Sequence, residues 1–254
     1  MRNTVYFLLL LLMATSCLTK KELVYLQNPN LKENIPTEFQ TKFTTYQLQP
    51  NDVLSIKVLS VDPDMANMFN IVNPNSSFGM SEPGSMYISG YNIDNEGYIT
   101  LPIIGKLKVS GLTTGQTQEL IQKNLNRYIT DATVVTKLVS FKISVLGDVK
   151  APGHFYIFNE KANILEGLSM AGDLTQGASR ENIKLIRQKG DESEVILLDL
   201  RNPNLVQSQY YYLMPNDVIY VEPRQTQLKR DNLVIVSTIL GFISTGALLY
   251  NVFK

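Results

Sequence analysis

Side chains able to do chemistry are few and scattered in this sequence. The one His, His154, sits in Pro152-Gly153-His154-Phe155, and no Gly-x-Ser-x-Gly elbow accompanies it, so a Ser-His-acid triad is not indicated. His154 is therefore expected at the surface or packed in a turn. Gly105-Lys106 is followed by Leu107, with no upstream glycine at the spacing of a phosphate-binding loop. Asp62 and Asp64 flank Pro63 without the Asp-x-Asp-Gly continuation of a calcium loop, and they read as a solvated turn. Asp94 and Glu96 read as shaping a turn at Gly97. Cys17 is the one cysteine, which rules out an internal disulfide and, beside a single His, a Cys/His zinc cluster. No catalytic residue, cofactor or metal is expected.

Cys17 has a different context. Arg2 precedes ten apolar residues, Val5 to Ala14, and Ala14-Thr15-Ser16 leads into the thiol. This is the layout of a secretory signal. As a helix the run would rise about 15 Å, half of a bilayer core of about 30 Å. The pattern resembles a bacterial lipoprotein signal, which implies removal of residues 1–16 and lipid on Cys17. Residues 17–38 are polar, are broken by Asn-Pro and Ile-Pro, and read as a tether. At the other end, residues 232–253 carry no charge and would span about 33 Å as a helix, enough for a transmembrane segment. On that helix Ser237, Thr238, Gly241, Ser244, Thr245 and Asn251 share one face, a stripe for helix packing or for facing a pore.

Between these ends the chain reads as α+β. Lys+Arg and Asp+Glu both number 23, so nothing suggests a nucleic-acid partner. Alternation predicts strands over 53–58, 135–145, 183–187, 195–199 and 218–221. Residues 91–104 read as a hairpin turning at Glu96-Gly97, and 62–90 as a long loop. A helix of about 15 residues is expected from a Thr114 cap, with Leu120, Ile121, Leu125, Tyr128 and Ile129 on its apolar face. A second is expected from Asn163, with Glu166 completing the cap, to Gly172. Leu48-Gln-Pro-Asn-Asp-Val53 recurs as Leu213-Met-Pro-Asn-Asp-Val218. In each, Pro50 or Pro215 presets a turn that Asn51-Asp52 or Asn216-Asp217 holds before a strand.

Tyr46-Gln-Leu-Gln-Pro-Asn-Asp-Val-Leu-Ser-Ile56, Asp94-Asn-Glu-Gly-Tyr-Ile-Thr-Leu-Pro-Ile-Ile-Gly105 and Val109-Ser-Gly-Leu-Thr113 resemble the polysaccharide export domain of bacterial outer-membrane export lipoproteins of the Wza type. Val145-Leu-Gly-Asp-Val-Lys-Ala-Pro-Gly153, Ile164–Leu174 and Leu213–Val221 resemble a soluble-ligand-binding β-grasp domain. The resemblance implies an export domain over 39–138, a β-grasp domain over 139–224 and a transmembrane helix over 232–253. Gly97, Gly105, Gly147, Pro152, Gly153 and Gly172 would be its structural turns. It further implies a homo-oligomeric ring at the outer membrane, held by lipid, with its bulk in the periplasm. Capsular or extracellular polysaccharide would be the cargo, and an inner-membrane co-polymerase or kinase-type protein the partner. The alternative is a monomeric, membrane-anchored glycan-binding module. Many relatives have two β-grasp domains where this chain has room for one, which implies a shorter periplasmic part.

Overall fold

The computed structural model describes residues 23–28, 32–71, 88–190 and 192–224, together with Thr238, 240–242, 244–246, Leu249 and Tyr250. The signal, Cys17, Ser237, Asn251 and most of the 62–90 loop lie outside the described residues.

The first module is built on β1 (Val53–Ser60), whose buried side chains alternate as Leu54, Ile56 and Val58. Its neighbours are β2 (Tyr91–Asn92) and β5 (Ala132–Leu138), both antiparallel, with β1 in the middle. The register with β5 runs from Leu54↔Leu138 to Ser60↔Ala132. Between β1 and β2, a short helix α1 (Pro63–Asn67) stands where an irregular loop was expected. Its N-cap is Asp62, which accepts from the N–H groups of Asp64 and Met65. The expected hairpin is displaced by one turn. Residues 94–97 do form a tight turn, with Gly97 N–H on Asp94 O at 2.9 Å, but β2 pairs with β1. The ladder is instead between β3 (Tyr98–Leu101) and β4 (Gly105–Lys108), turning at 102–104.

Helix α2 (Thr114–Leu125) begins one residue earlier than expected. Thr113 is the cap, and it exchanges bonds with Gln116 in a capping box. Thr117, Ile121 and Leu125 are buried, with Ile129 just beyond, whereas Tyr128 is half exposed. The polar residues of α2 close the sheet. Gln122 accepts from Val134 N–H at 2.8 Å and donates to Ala132 O at 2.8 Å, and Gln118 accepts from Thr136 N–H at 3.0 Å. Two side-chain amides one helical turn apart thus occupy the place of a further strand, and they blunt the β5 edge.

The second module is a five-stranded mixed sheet in the order β7-β6-β10-β8-β9, with strands Gly153–Tyr156, Lys142–Gly147, Val218–Pro223, Ala178–Lys189 and Glu192–Leu198. Only β6 and β10 are parallel; the other pairs are antiparallel. Helix α3 (Ile164–Met170) buries Ile164 and Leu168 in the core with Ile143, Ile183, Leu185 and Ile219. Its cap is Asn163, but Glu166 is held by Asn159 at 2.9 Å rather than turning back to the cap. The single strand read over 135–145 is two strands in two sheets, because the buried side changes phase. Val134 and Thr136 point inward in β5, and Phe141, Ile143 and Val145 in the second module.

The tether is not loose over its described first stretch. Leu26 and Gln27 donate their N–H groups to the carbonyls of Leu200 and Arg201 at 2.9 and 2.6 Å, and Tyr25 and Leu26 pack against the second core. The described residues from Thr238 to Tyr250 are helical and exposed. Ser244 and Thr245 both return their hydroxyls to Gly241 O, at 2.9 and 2.8 Å. Among the described residues no helix is long and apolar enough to cross a membrane, and the remainder of 232–253 lies outside them.

Gln122→Ala removes both mimic bonds and leaves Val134 N–H at a partly buried edge. The expected loss is about 1–3 kcal/mol in urea unfolding, with faster hydrogen exchange confined to the Val134 amide and its neighbours. Unchanged stability and exchange would show that α2 does not close the edge.

Candidate functional site

The two Pro-Asn-Asp turns are the same device built twice. Asn51 and Asn216 stand at φ of 71° and 66°, the left-handed position that Asn tolerates in a turn begun by proline. Asp52 N–H closes onto Gln49 O at 3.2 Å, and Asp217 N–H onto Met214 O at 3.1 Å. Each aspartate side chain then folds back. Gln49 N–H donates to Asp52 Oδ2 at 2.9 Å, and Met214 N–H to Asp217 Oδ2 at 2.8 Å. Each turn also docks on a neighbour. Asn51 and Asn216 donate to Ile93 O and Lys142 O, and Asp52 and Asp217 carbonyls accept from Ile93 and Ser144. The leading residues, Leu48 and Leu213, are core plugs.

What differs is the partner of the buried carboxylate. Asp217 is fully buried and receives Arg187 in a two-point bond, Nε to Oδ1 at 2.9 Å and Nη2 to Oδ2 at 2.7 Å. Burial pushes the Asp217 carboxyl upward, while Arg187 and the Met214 N–H pull it down. Asp52, 3% exposed, has no ion-pair partner among the described residues. Tyr46 donates to its Oδ2 at 2.9 Å and Ser140 to its Oδ1 at 3.3 Å, and the Ser140 oxygen also accepts from Val53 N–H at 3.0 Å. Burial holds the Asp52 carboxyl above the ordinary carboxylate range, against the Gln49, Tyr46 and Ser140 bonds that lower it. Burial and the carboxylate together push the Tyr46 phenol far up.

Ser140 is the middle residue of the link 139–141 between β5 and β6, so this network lies on the seam between the modules. Three cavities adjoin there, of about 370, 670 and 300 Å³, and Tyr46 lines each of them. The first has apolar walls from Phe43, Leu138, Phe141, Ile157, Phe158 and Leu213. The second is a more open polar groove beside Arg187, Lys189 and Tyr210. The third lies over Asp52, Ser140 and Lys142. The structure thus brings Pro50, Asn51, Asp52, Pro215 and Asn216 to one seam. The other turn residues are distributed. Gly97 ends the 94–97 turn, Gly105 opens β4, Pro152 and Gly153 lead into β7, and Gly172 follows α3. Gly147 is sterically required: at φ +90°, an added Cβ would lie 2.1 Å from Val221 O across the parallel pair. Thr238, Gly241, Ser244 and Thr245 sit on the exposed helix, away from the seam residues in sequence. Sequence reasoning missed Phe43, Lys137, Ser140, Phe158 and the pairing of Tyr46 and Arg187 with the aspartates. An arginine inside the apolar run Leu185-Ile186-Arg187 was the available signal for a buried ion pair. His154 is exposed on β7, its Nδ1 2.9 Å from Ser144 Oγ. Among the described residues no group of three or more His, Cys, Asp or Glu could hold a metal.

Arg187→Ala leaves Asp217 buried without its cation and is expected to cost about 3–5 kcal/mol in urea unfolding; a loss under 1 kcal/mol would show the pair to be dispensable. Asp52 titrates higher in the folded chain than in the unfolded one, so the folded state binds the extra proton and stability falls as pH rises through that interval. Asp52→Asn is expected to flatten the stability profile from the ordinary carboxylate range upward. An unchanged slope would remove Asp52 as its source.

Comparison with known proteins gives the seam its context. Residues 40–139 match the polysaccharide biosynthesis/export protein family, and residues 141–221 match the SLBB domain family. The EPS I polysaccharide export outer membrane protein EpsA of Ralstonia solanacearum is 24% identical over 199 residues, covering 76% of this chain and 52% of that protein. The protein of the same name from Ralstonia nicotianae is 25% identical over 191 residues, covering 72% of this chain and 49% of its own length. The chain spans about half the length of these curated relatives. The seam of buried aspartates, Tyr46 and Ser140 thus falls at the junction of the two matched regions, where residues 40–139 belong to the polysaccharide biosynthesis/export family and are followed by an SLBB domain over 141–221.

Proposed function

We propose that this chain is the outer-membrane component of a conduit that exports capsular or extracellular polysaccharide across the periplasm and outer membrane. The observation that carries the reading is the ordered pair of export and SLBB domains, shared over most of this chain with proteins named for polysaccharide export at the outer membrane. The family is one of export proteins rather than enzymes. In this reading identical subunits form a ring, lipid on Cys17 and the helix within 232–253 hold it in the membrane, and an inner-membrane co-polymerase or kinase-type partner supplies the drive.

One feature of the second module supports that attachment. Tyr25 donates to Asp173 Oδ1 at 2.6 Å, while Arg224 N–H donates to Gly177 O at 2.8 Å. The arm that leads back to Cys17 and the chain that leads on to the terminal helix therefore both leave from the 173–180 segment. Two attachments emerging together can enter one membrane without crossing the body of the protein, and two anchors hold far better than one.

Deletion of the chromosomal copy is expected to abolish secreted polysaccharide while intracellular repeat units accumulate, with rescue by the full chain. Cys17→Ala is expected to abolish incorporation of labelled palmitate. Particles extracted in detergent are expected to image as rings; monomers in several detergents would overturn the conduit and leave the anchored glycan-binding module. Normal secretion in the deletion strain would overturn export itself.

A further inference from the structure

From the seam cavity we infer a binding site for one pyranose unit of a glycan, with Phe158 and Phe43 as its stacking plates; this rests on the export reading only for the origin of the sugar. The cavity of about 370 Å³ lies at the small end of ligand sites and sits between two domains, where such sites concentrate. Phe158 is 77% exposed at its mouth, a large aromatic side chain with no aromatic or cation–π partner among the described residues. Phe43 stands edge-on to Tyr212, ring centres 5.3 Å apart, with Lys161 Nζ 5.1 Å from its own centre. That packing holds the Phe43 ring in a defined orientation.

The polar groups of the lining decide the class of ligand. Thr44, Thr45 and Thr114 offer hydroxyls, Lys137 an ammonium and Glu160 a carboxylate. Among the described residues, none of these five side chains has a hydrogen bond or ion pair. A purely apolar ligand would leave them all unused, and would bury some of them at a cost. A pyranose ring presents an apolar C–H face for an aromatic plate and hydroxyls around its rim, each able to donate and accept. Glu160 can only accept and Lys137 can only donate, so together with the threonines they match that mixed rim. Both charge signs at one cavity also argue against a site for an isolated anion.

The site differs from the rest of the seam in being uncommitted. Asp52, Tyr46 and Ser140 spend their polarity on one another, which fixes the wall behind Tyr46. Thr44 and Thr45 lie on the extended stretch immediately before Tyr46, so the same network positions their hydroxyls.

The test uses the purified full chain in detergent and a panel of methyl α- and β-pyranosides of glucose, galactose, mannose and glucuronic acid, read by saturation-transfer NMR. At least one is expected to receive saturation at millimolar concentration. Phe158→Ala, a substitution at an exposed position that leaves the fold intact by circular dichroism, is expected to weaken that ligand about tenfold, the scale of one aromatic contact. Glu160→Gln is expected to weaken it less. No transfer to any of the eight probes overturns the site, as does transfer that persists unchanged in both Phe158→Ala and Phe43→Ala. Secretion is measured in the same variants: lost binding with normal secretion separates this site from the export reading, and lost secretion in the deletion strain tests export independently of it.

Discussion

A buried aspartate must be answered by partners before either sheet can close. In each module the middle strand enters the fold through a Pro-Asn-Asp turn whose carboxylate is taken out of water, at a cost of several kcal/mol unless hydrogen bonds replace the lost hydration. The turn itself supplies one such bond, from the residue that opens it. The rest must come from elsewhere: Ser140 lies 88 residues beyond Asp52, and Arg187 lies 30 residues before Asp217. Satisfying each charge therefore recruits a remote segment. That requirement specifies where the strand begins, which sets the register on both sides of it.

Both modules use this device, with different stakes. Arg187 makes the second module's turn a self-contained ion pair inside one sheet. Asp52 in the first module has no ion-pair partner among the described residues and adds a hydroxyl from the inter-domain residue Ser140 to the bonds from Tyr46 and Gln49, so its last hydrogen bond forms only when the two modules meet. The same serine takes up the Val53 N–H at the entry of β1. A side chain of two heavy atoms thus ties the start of one sheet to the approach of the next, and the cavities of the seam open around that tie.

Much of the fold was legible in the sequence, because periodicity reports the buried side of each element directly. The repeated Leu-x-Pro-Asn-Asp-Val segment, the apolar face of α2 and the strands around Ile183, Val195 and Val218 are all of this kind. Pairing is less legible. Residues 91–104 carry two turn signals in succession, at Gly97 and at Pro102–Gly105, and alternation cannot say which joins the paired strands. The run from 132 to 145 reads as one strand until the buried side changes phase at Ser140, where a sheet ends and another begins. The closing of the β5 edge was hidden differently: Gln118 and Gln122 look like ordinary solvent-facing positions of a helix, and only tertiary placement turns them into strand substitutes. Phe43, Tyr46 and Phe158 belong to segments with no period at all, so nothing local marked them as neighbours. Their chemistry comes from the meeting of two domains.

The parallel pair at the centre of the second sheet connects the seam to the proposed attachment. β6 and β10 both start at the seam, where Asn216 is bonded to Lys142, and both end at the other side, where Asp148 N–H reaches Val221 O and Arg224 reaches Gly177. Only a parallel pair can do this, since antiparallel neighbours return the chain to the end it came from. At about 3.3 Å per residue, six residues carry the chain roughly 20 Å from one end to the other. At Gly147, paired with Val221, the bare α-carbon leaves room for Val221 O, which an added Cβ would meet at 2.1 Å. A load applied between the anchored ends and the export module would therefore run along two strands that must slide past each other together, breaking their shared bonds in shear rather than one after another.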